Sequence, residues 1–187
     1  MKPLEALAHK LEVAEEKTSL GGFAAMPGPP KPIGLRFNFI EVCGGAAKVS
    51  AEVSKRGWVV GPCIDLDRSE HYNLASIEVL SWLIHMVESD QLDAYFVQPP
   101  CTTFSPAAHP AVRSYDAPRG FIPTDGKTHL GTTLALRALT LVFVSARTYT
   151  VGLLEQSRMS KMAWLPEWIF LRENGWAVED WLVSCMY

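Results

Sequence analysis

The sequence predicts an α/β fold with a mostly parallel sheet covered by helices on both faces. Three observations predict it. Short apolar runs alternate with longer stretches of helical period. The chain has 187 residues, 48% hydrophobic and 20% charged, which is enough apolar material for the core of one domain. Glycine and proline punctuate the joints between runs, so strands and helices end rather than merge. Alternation of strand and helix builds right-handed crossovers, and these place successive strands parallel.

The elements follow in order. Residues 3–18 form a short amphipathic helix, with Leu4, Leu7, Leu11 and Ala14 on one stripe. Gly21-Gly22 and Pro27-Gly28-Pro29-Pro30-Lys31-Pro32 read as a linker, because turn formers packed so closely fit neither helix nor central strand. Residues 1–32 thus stand apart from a domain over 33–187, compact from about Leu35. Phe37–Val42 is a strand, Ala46–Arg56 a helix ended by Gly57, and Trp58–Asp65 a second strand. Ser69–Glu88 has helical period. Ala94–Val97 is a third strand, halted by Pro99-Pro100. Cys101–His129 is a long loop broken by Pro106, Pro110, Pro118, Gly120, Pro123 and Gly126. Leu130–Tyr149 is a helix, Val151–Glu155 a strand, Leu165–Asn174 a helix stopped by Gly175, and Trp176–Met186 a last strand-like run. The chain ends inside that run, which predicts a domain cut off before its last strands.

Charge and composition exclude several classes. Lys plus Arg number 17 and Asp plus Glu 20, for a net charge of −3, so any polyanion must meet a local patch rather than a basic surface. No continuous apolar run reaches the roughly 20 residues of a membrane span, since Arg137 interrupts Leu134–Val144. Lys2, Glu5, His9 and Lys10 leave no apolar signal-peptide core. The four cysteines, Cys43, Cys63, Cys101 and Cys185, lack paired spacing. That favours reduced thiols in an intracellular protein over a disulfide framework or a zinc site.

Open parallel sheets bind ligands beyond the carboxyl ends of their strands, so the strand-to-loop joints are the places to read chemistry. The first joint holds Glu41, Cys43, Gly44, Gly45 and Ala47, small residues after an acid, which lets backbone turn tightly against a ligand. At the second, Asp65 offers an acceptor to ribose hydroxyls, and Asn73 an edge to adenine. Either joint alone fits an ordinary α/β protein; in series they point to a nucleoside-bearing cofactor. Neither GxxxxGK[ST] nor GxGxxG occurs. The third joint is Gln98-Pro99-Pro100-Cys101-Thr102-Thr103-Phe104-Ser105. Two rigid prolines hold the next side chain, Cys101, in one orientation. A thiol becomes a nucleophile beside positive charge, and Arg113, Arg119 and His109 are candidates to supply it; the alternative is a buried structural cysteine. Arginines interleaved with aromatics around Arg113, Tyr115, Arg119 and Phe121 suit phosphate contact and base stacking, or are a solvated proline-rich loop. Trp164 and Trp168 read as packing residues. Arg158 and Lys161 fit either a phosphate contact or an ordinary exposed face.

Glu41-x-Cys43-x-Gly45-x-Ala47 resembles a relaxed form of the Asp/Glu-x-Gly-x-Gly-x-Gly pattern of S-adenosylmethionine-dependent methyltransferases. Pro99-Pro100-Cys101-Thr102-Thr103-Phe104-Ser105 resembles the Pro-Pro-Cys-Gln-Ser-Phe-Ser motif of DNA cytosine-5 methyltransferases, and Leu154-Glu155-Gln156-Ser157 stands where that family has Glu-Asn-Val. The resemblance implies a three-layer Rossmann-like methyltransferase fold. It implies Cys101 as the nucleophile toward cytosine carbon six and Glu155 as the acid on the ring nitrogen. It implies S-adenosylmethionine held by Glu41, Cys43, Gly45, Asp65, Asn73 and Pro99, and a nucleic-acid partner, DNA before RNA, met by Ser105, Arg113 and Arg119. Thr102 and Gln156 depart from the motifs, no Gln-x-Arg-x-Arg follows Glu155, and a recognition domain does not fit the length. The alternatives are a methyltransferase-like binding module without catalysis, part of a larger polypeptide, or a methyltransferase acting on another substrate.

Overall fold

The computed structural model describes residues 36–180, all within the second of the two units, Met1–Lys31 and Pro32–Tyr187, into which the chain divides. The elements are β1 (Phe37–Val42), α1 (Lys48–Lys55), α2 (Ile77–Glu88), β2 (Leu92–Val97), α3 (Gly126–Ser145), β3 (Val151–Leu154) and α4 (Pro166–Glu173), with a 3-10 turn at Lys161–Trp164. The three strands are parallel in the order β1-β2-β3. The described residues are thus a mixed α/β structure with a small parallel sheet and four helices.

Strand alternation decides what each face carries. Ile40, Val42, Tyr95, Val97 and Leu154 share one face. There they pack with Leu80, Leu83, Met86 and Val87 of α2 and Leu134, Ala138 and Leu141 of α3. Gly152 lets β3 close on β2, since a Cβ there would strike the Tyr95 hydroxyl. That hydroxyl lies 3.0 Å from Ser145 Oγ, and burial pushes its pKa up. The opposite side of α3 carries Ala135, Leu139 and Val142 into a second cluster with Phe104, Met162, Leu165 and Leu171. Covered on both sides, α3 is apolar nearly all round. It is 20 residues long, and an 18-residue window within it has a mean hydropathy of 1.2, so by length and composition alone it could cross a membrane, which the interrupted run around Arg137 did not predict. Arg137 itself turns back to donate to Ser76 O at 2.9 Å.

The second face is where expectation and structure part. Phe39 and Glu41 of β1 are buried on it, with α1 alongside, but Val151 and Leu153 of β3 are 59% and 57% exposed. Among the described residues, helices therefore cover one face across the sheet and the other only beside β1.

Local chemistry explains the shifted elements. Trp58–Asp65 makes only two isolated parallel bridges to β1, Phe39 with Val60 and Val42 with Ile64. Pro62 has no N–H to give a ladder and Gly61 weakens one, so a continuous strand does not form. Helix α2 starts at Ile77, not near Ser69. Asn73 Oδ1 accepts the Ala75 N–H in a local turn, and Ser76 Oγ then caps the N–H groups of Glu78 and Val79. Asp125 caps Thr128 N at 3.1 Å, so α3 begins four residues before the expected Leu130. No strand forms over Trp176–Asp180. The expected helix over 3–18, the linker, and the rest of the last run lie outside the described residues.

Candidate functional site

Parallel strands deliver all their carboxyl ends to one rim, and that rim collects the chemistry-bearing segments. β1 runs into Cys43–Ala47, β2 into Gln98–Cys101 and β3 into Glu155-Gln156. The strand ladder continues past the strand ends: Gln98 N donates to Val42 O at 2.9 Å and Glu155 N to Val97 O at 3.0 Å. Gln156 Nε2 donates to Pro99 O at 2.6 Å, and Ser160 Oγ to Gln156 Oε1 at 3.0 Å. Gln156 thereby locks the Pro99 peptide to the segment that carries Glu155. Pro99 is buried, Cys101 is half-buried and belongs to neither apolar cluster, and Glu155 is exposed.

The turn after β1 has an uncommon backbone. Cys43, Gly45 and Ala47 all take left-handed conformations, with φ of 57°, 48° and 53°. These are the alternate positions at which the motif wants small residues. For Cys43 and Ala47 such a conformation costs about 1–2 kcal/mol and persists only where the surroundings impose it. Here they do. Gly45 N donates to Asp65 Oδ2 at 2.8 Å, Asp67 N to Asp65 Oδ1 at 2.9 Å, and Arg68 Nε to Gly45 O at 2.8 Å. A Cβ built on Gly45 meets nothing within 4 Å, so the outer surface of the turn is open to approach.

Glu41 does not face that opening. It is 1% exposed, and its Oε2 accepts Ser50 N at 2.7 Å. Ser50 is the third residue of α1, whose N-cap, Ala47, has no side-chain acceptor, so Glu41 caps the helix from the strand below. Gly44 has to be glycine because a Cβ there would overlap the Glu41 side chain. The expected cofactor contact by Glu41 is thus corrected: its carboxylate is spent beneath the turn. The Cys43 thiol is pushed up to about 12 by burial, with Asp65 and Cys63 adding to it. Cys63 is raised too, by burial first and then by Glu41. Both shifts work against the thiolate, the form that attacks. Asp65, Gly45 and Cys43 meet at one junction; Asn73 sits in the turn that leads to α2.

The long loop is organised around Arg113, which is 1% exposed. Nη1 donates to Pro118 O and Thr132 Oγ1, both at 2.8 Å, and Nη2 to Thr103 Oγ1 at 3.0 Å and Thr128 O at 2.7 Å. The guanidinium carbon lies 3.9 Å from the Phe104 ring centroid. Gly131 makes room, since a Cβ there would crowd Thr103 Oγ1 at 2.6 Å. Burial pulls the guanidinium down to about 10, which leaves it charged at neutral pH. The expected phosphate contact by Arg113 is therefore corrected: its Nη donors are committed inside the loop, and Nε is buried without a partner. Arg119 pairs with Glu167, and Ser105 Oγ accepts Ala107 N at 3.1 Å.

Two features escaped the sequence. Lys161, for which a phosphate contact and an ordinary exposed face were both open, is 7% exposed; its N–H donates to Phe104 O at 3.0 Å and its Nζ to Ser105 O at 3.1 Å. Trp164, expected in the core, is 54% exposed and lies 5.3 Å from the Tyr115 ring in a tilted pair. The period of a helix cannot report either, because residues 161–164 form a 3-10 turn with its own repeat.

Comparison of the chain with family models, with curated proteins and with solved structures finds no match.

Proposed function

We propose that this domain transfers a methyl group from S-adenosylmethionine to carbon five of cytosine in nucleic acid, DNA before RNA, through a covalent bond to Cys101. The observation that carries the reading is the shared rim. Cys101 and Glu155 follow adjacent parallel strands, cross-linked by Gln156 to Pro99 O, with the turn after β1 on the neighbouring strand. The described sheet is read as the centre of a three-layer Rossmann-like methyltransferase fold.

The left-handed turn fits the cofactor in one respect. Positive φ at Cys43, Gly45 and Ala47 keeps the backbone form of the glycine motif although two glycines are replaced, and the space over Gly45 is open. Asp65 would meet ribose hydroxyls with the lone pairs left beside its two N–H bonds, and Asn73 the adenine edge. When bound, the cofactor supplies an electrophilic methyl group and leaves as the uncharged thioether.

The chain's own residues supply the rest. The Cys101 sulfur adds to carbon six of the ring while Glu155 gives a proton to the ring nitrogen, which makes carbon five nucleophilic. After methylation, water takes the proton from carbon five as the bond between carbon six and sulfur breaks; the ring nitrogen returns its proton to Glu155, and the departing thiolate is reprotonated from solvent. Pro99, fixed by Gln156 and followed by Pro100, holds Cys101 in place for both steps. Because an enzyme of this kind works on a base taken out of the stack, the loop after Cys101 is read as the wall of its pocket.

A second reading, a methyltransferase-like module without catalysis, draws on Glu41 and Arg113, both consumed internally. Two measurements separate the readings. Calorimetry with S-adenosylmethionine is expected to give saturable heat. Cys101→Ser is expected to abolish methyl transfer to a cytosine-containing duplex while cofactor affinity stays within a few-fold. Absence of heat together with unchanged thermal stability in excess cofactor would select the module; methyl transfer by Cys101→Ser would exclude the covalent route.

A further inference from the structure

The 3-10 turn beside the rim carries features that the proposed chemistry does not use. Side chains three residues apart eclipse one another on such a turn, so Lys161 and Trp164 project from the same side. Trp164 pairs with Tyr115, whose hydroxyl donates to Met159 O at 3.5 Å, and both rings are open to solvent. Lys161 opens the same turn, three residues before Trp164. Its ammonium, on a side chain more than nine-tenths buried, has a single neutral acceptor, Ser105 O, and among the described residues no carboxylate lies within ion-pair distance of it. A buried cation without a counterion is costly unless an anion arrives to complete it. The group is coupled to the rim by two hydrogen bonds in series: Ser105 N donates to Cys101 O at 2.7 Å, and Lys161 Nζ to Ser105 O.

We infer that Tyr115, Trp164 and Lys161 form a subsite for one unpaired nucleotide next to the target. Its base stacks on the exposed aromatic pair and its phosphate is held by the Lys161 ammonium. The inference rests on the nucleic-acid reading above and adds to it the contact that holds the strand beside Cys101. Stacking requires a free base face, so the subsite takes single-stranded or extruded nucleotides rather than an intact duplex.

The test uses the full chain and a fluorescein-labelled single-stranded oligonucleotide containing one cytosine, with binding read by anisotropy. Trp164→Ala is expected to weaken binding about tenfold or more, and Trp164→Phe, which keeps a ring, by less than about threefold. Lys161→Gln is expected to lower the slope of log affinity against log salt by about 0.7, the change for one phosphate on a single strand. Thermal unfolding of each variant checks that it is folded. Should Lys161→Gln fail to fold, the two Trp164 variants decide. The subsite is overturned if Trp164→Ala binds within twofold of the parent, or if the alanine and phenylalanine variants weaken binding equally. If the parent chain does not bind the oligonucleotide at all, the nucleic-acid reading falls and the subsite with it. If cytosine methylation depends on Cys101 but is insensitive to Trp164 at low oligonucleotide concentration, the subsite alone falls.

Discussion

The turn after β1 and the loop after β2 each fold over one buried ion, and the two ions have opposite signs. Beneath Cys43–Ala47 lies the Glu41 carboxylate, which accepts Ser50 N; beneath the loop from Cys101 to Asp125 lies the Arg113 guanidinium, which donates to four oxygens. The sign follows from what each segment leaves unpaired. A turn that opens into a helix has surplus N–H groups and needs an acceptor. A long loop against the start of a helix leaves carbonyl and hydroxyl oxygens and needs donors. Each ion stabilises a rim segment at the expense of its own availability, so the two most conspicuous charges near the rim are structural. On the reading proposed above, ligand contacts would fall to groups with fewer commitments: Asp65, Cys101, Glu155 and Lys161.

Breaking the cation is expected to do more than breaking the anion. Arg113→Met removes four hydrogen bonds and the contact with Phe104, and strands the Pro118 carbonyl. A loss of about 3 kcal/mol or more follows, a fall in Tm of roughly 6–12 °C at this size, with proteolysis appearing first between residues 101 and 125. Glu41→Ala removes one cap and leaves one buried N–H unpaired, for about 2 kcal/mol. Glu41→Gln keeps an acceptor oxygen and is expected to lose less. If the two alanine-scale losses come out in the reverse order, the loop does not depend on Arg113 as described. Ala47→Gly tests the strain in the turn from the other direction: relief of the left-handed conformation is expected to raise stability by up to about 1 kcal/mol in chemical unfolding.

A further effect is a pH dependence confined to the turn and visible only in alkali. Cys43 titrates near 12 in the folded state against an ordinary 9.0. A raised pKa means folding favours the protonated thiol. The stabilisation is complete below about pH 9 and is lost as pH climbs through about 12. Comparing alkaline unfolding of the parent with Cys43→Gly, whose glycine accepts the same φ, is expected to show a shallower decline in the variant. Iodoacetamide at pH 8.5 is expected to leave Cys43 unmodified until the protein is denatured, as read by peptide mass spectrometry.

What was readable in the sequence divides along the same line between local and distant causes. Phe37–Val42 was readable to the residue, because an apolar run before small turn residues is a local signal. That the segments after β2 and β3, which carry Cys101 and Glu155, leave one rim of the sheet followed from alternation alone, since parallel strands put their carboxyl ends on the same side. Pro62 announced the break in Trp58–Asp65, and Ser76 the late start of α2; helical and strand periodicity outweighed both signals in the reading. The burial of Arg113 had no local signal. Its acceptors come from Thr103, Pro118, Thr128 and Thr132, spread over thirty residues, and only the folded loop brings them together. Lys161 was hidden for the same reason, since Ser105 lies 56 positions away.

Covalent trapping tests the central claim most directly. An oligonucleotide carrying 5-fluorocytosine cannot lose its substituent after methylation, so a cysteine that has attacked carbon six stays attached. Incubated with S-adenosylmethionine and this oligonucleotide, the protein is expected to give a denaturation-resistant adduct that maps to Cys101, vanishes in Cys101→Ser and forms at least a hundredfold more slowly in Glu155→Gln, near the lower end for loss of a general acid at about 10²–10⁴. An oligonucleotide that binds but yields no adduct, or an adduct that survives replacement of Cys101, would contradict the account.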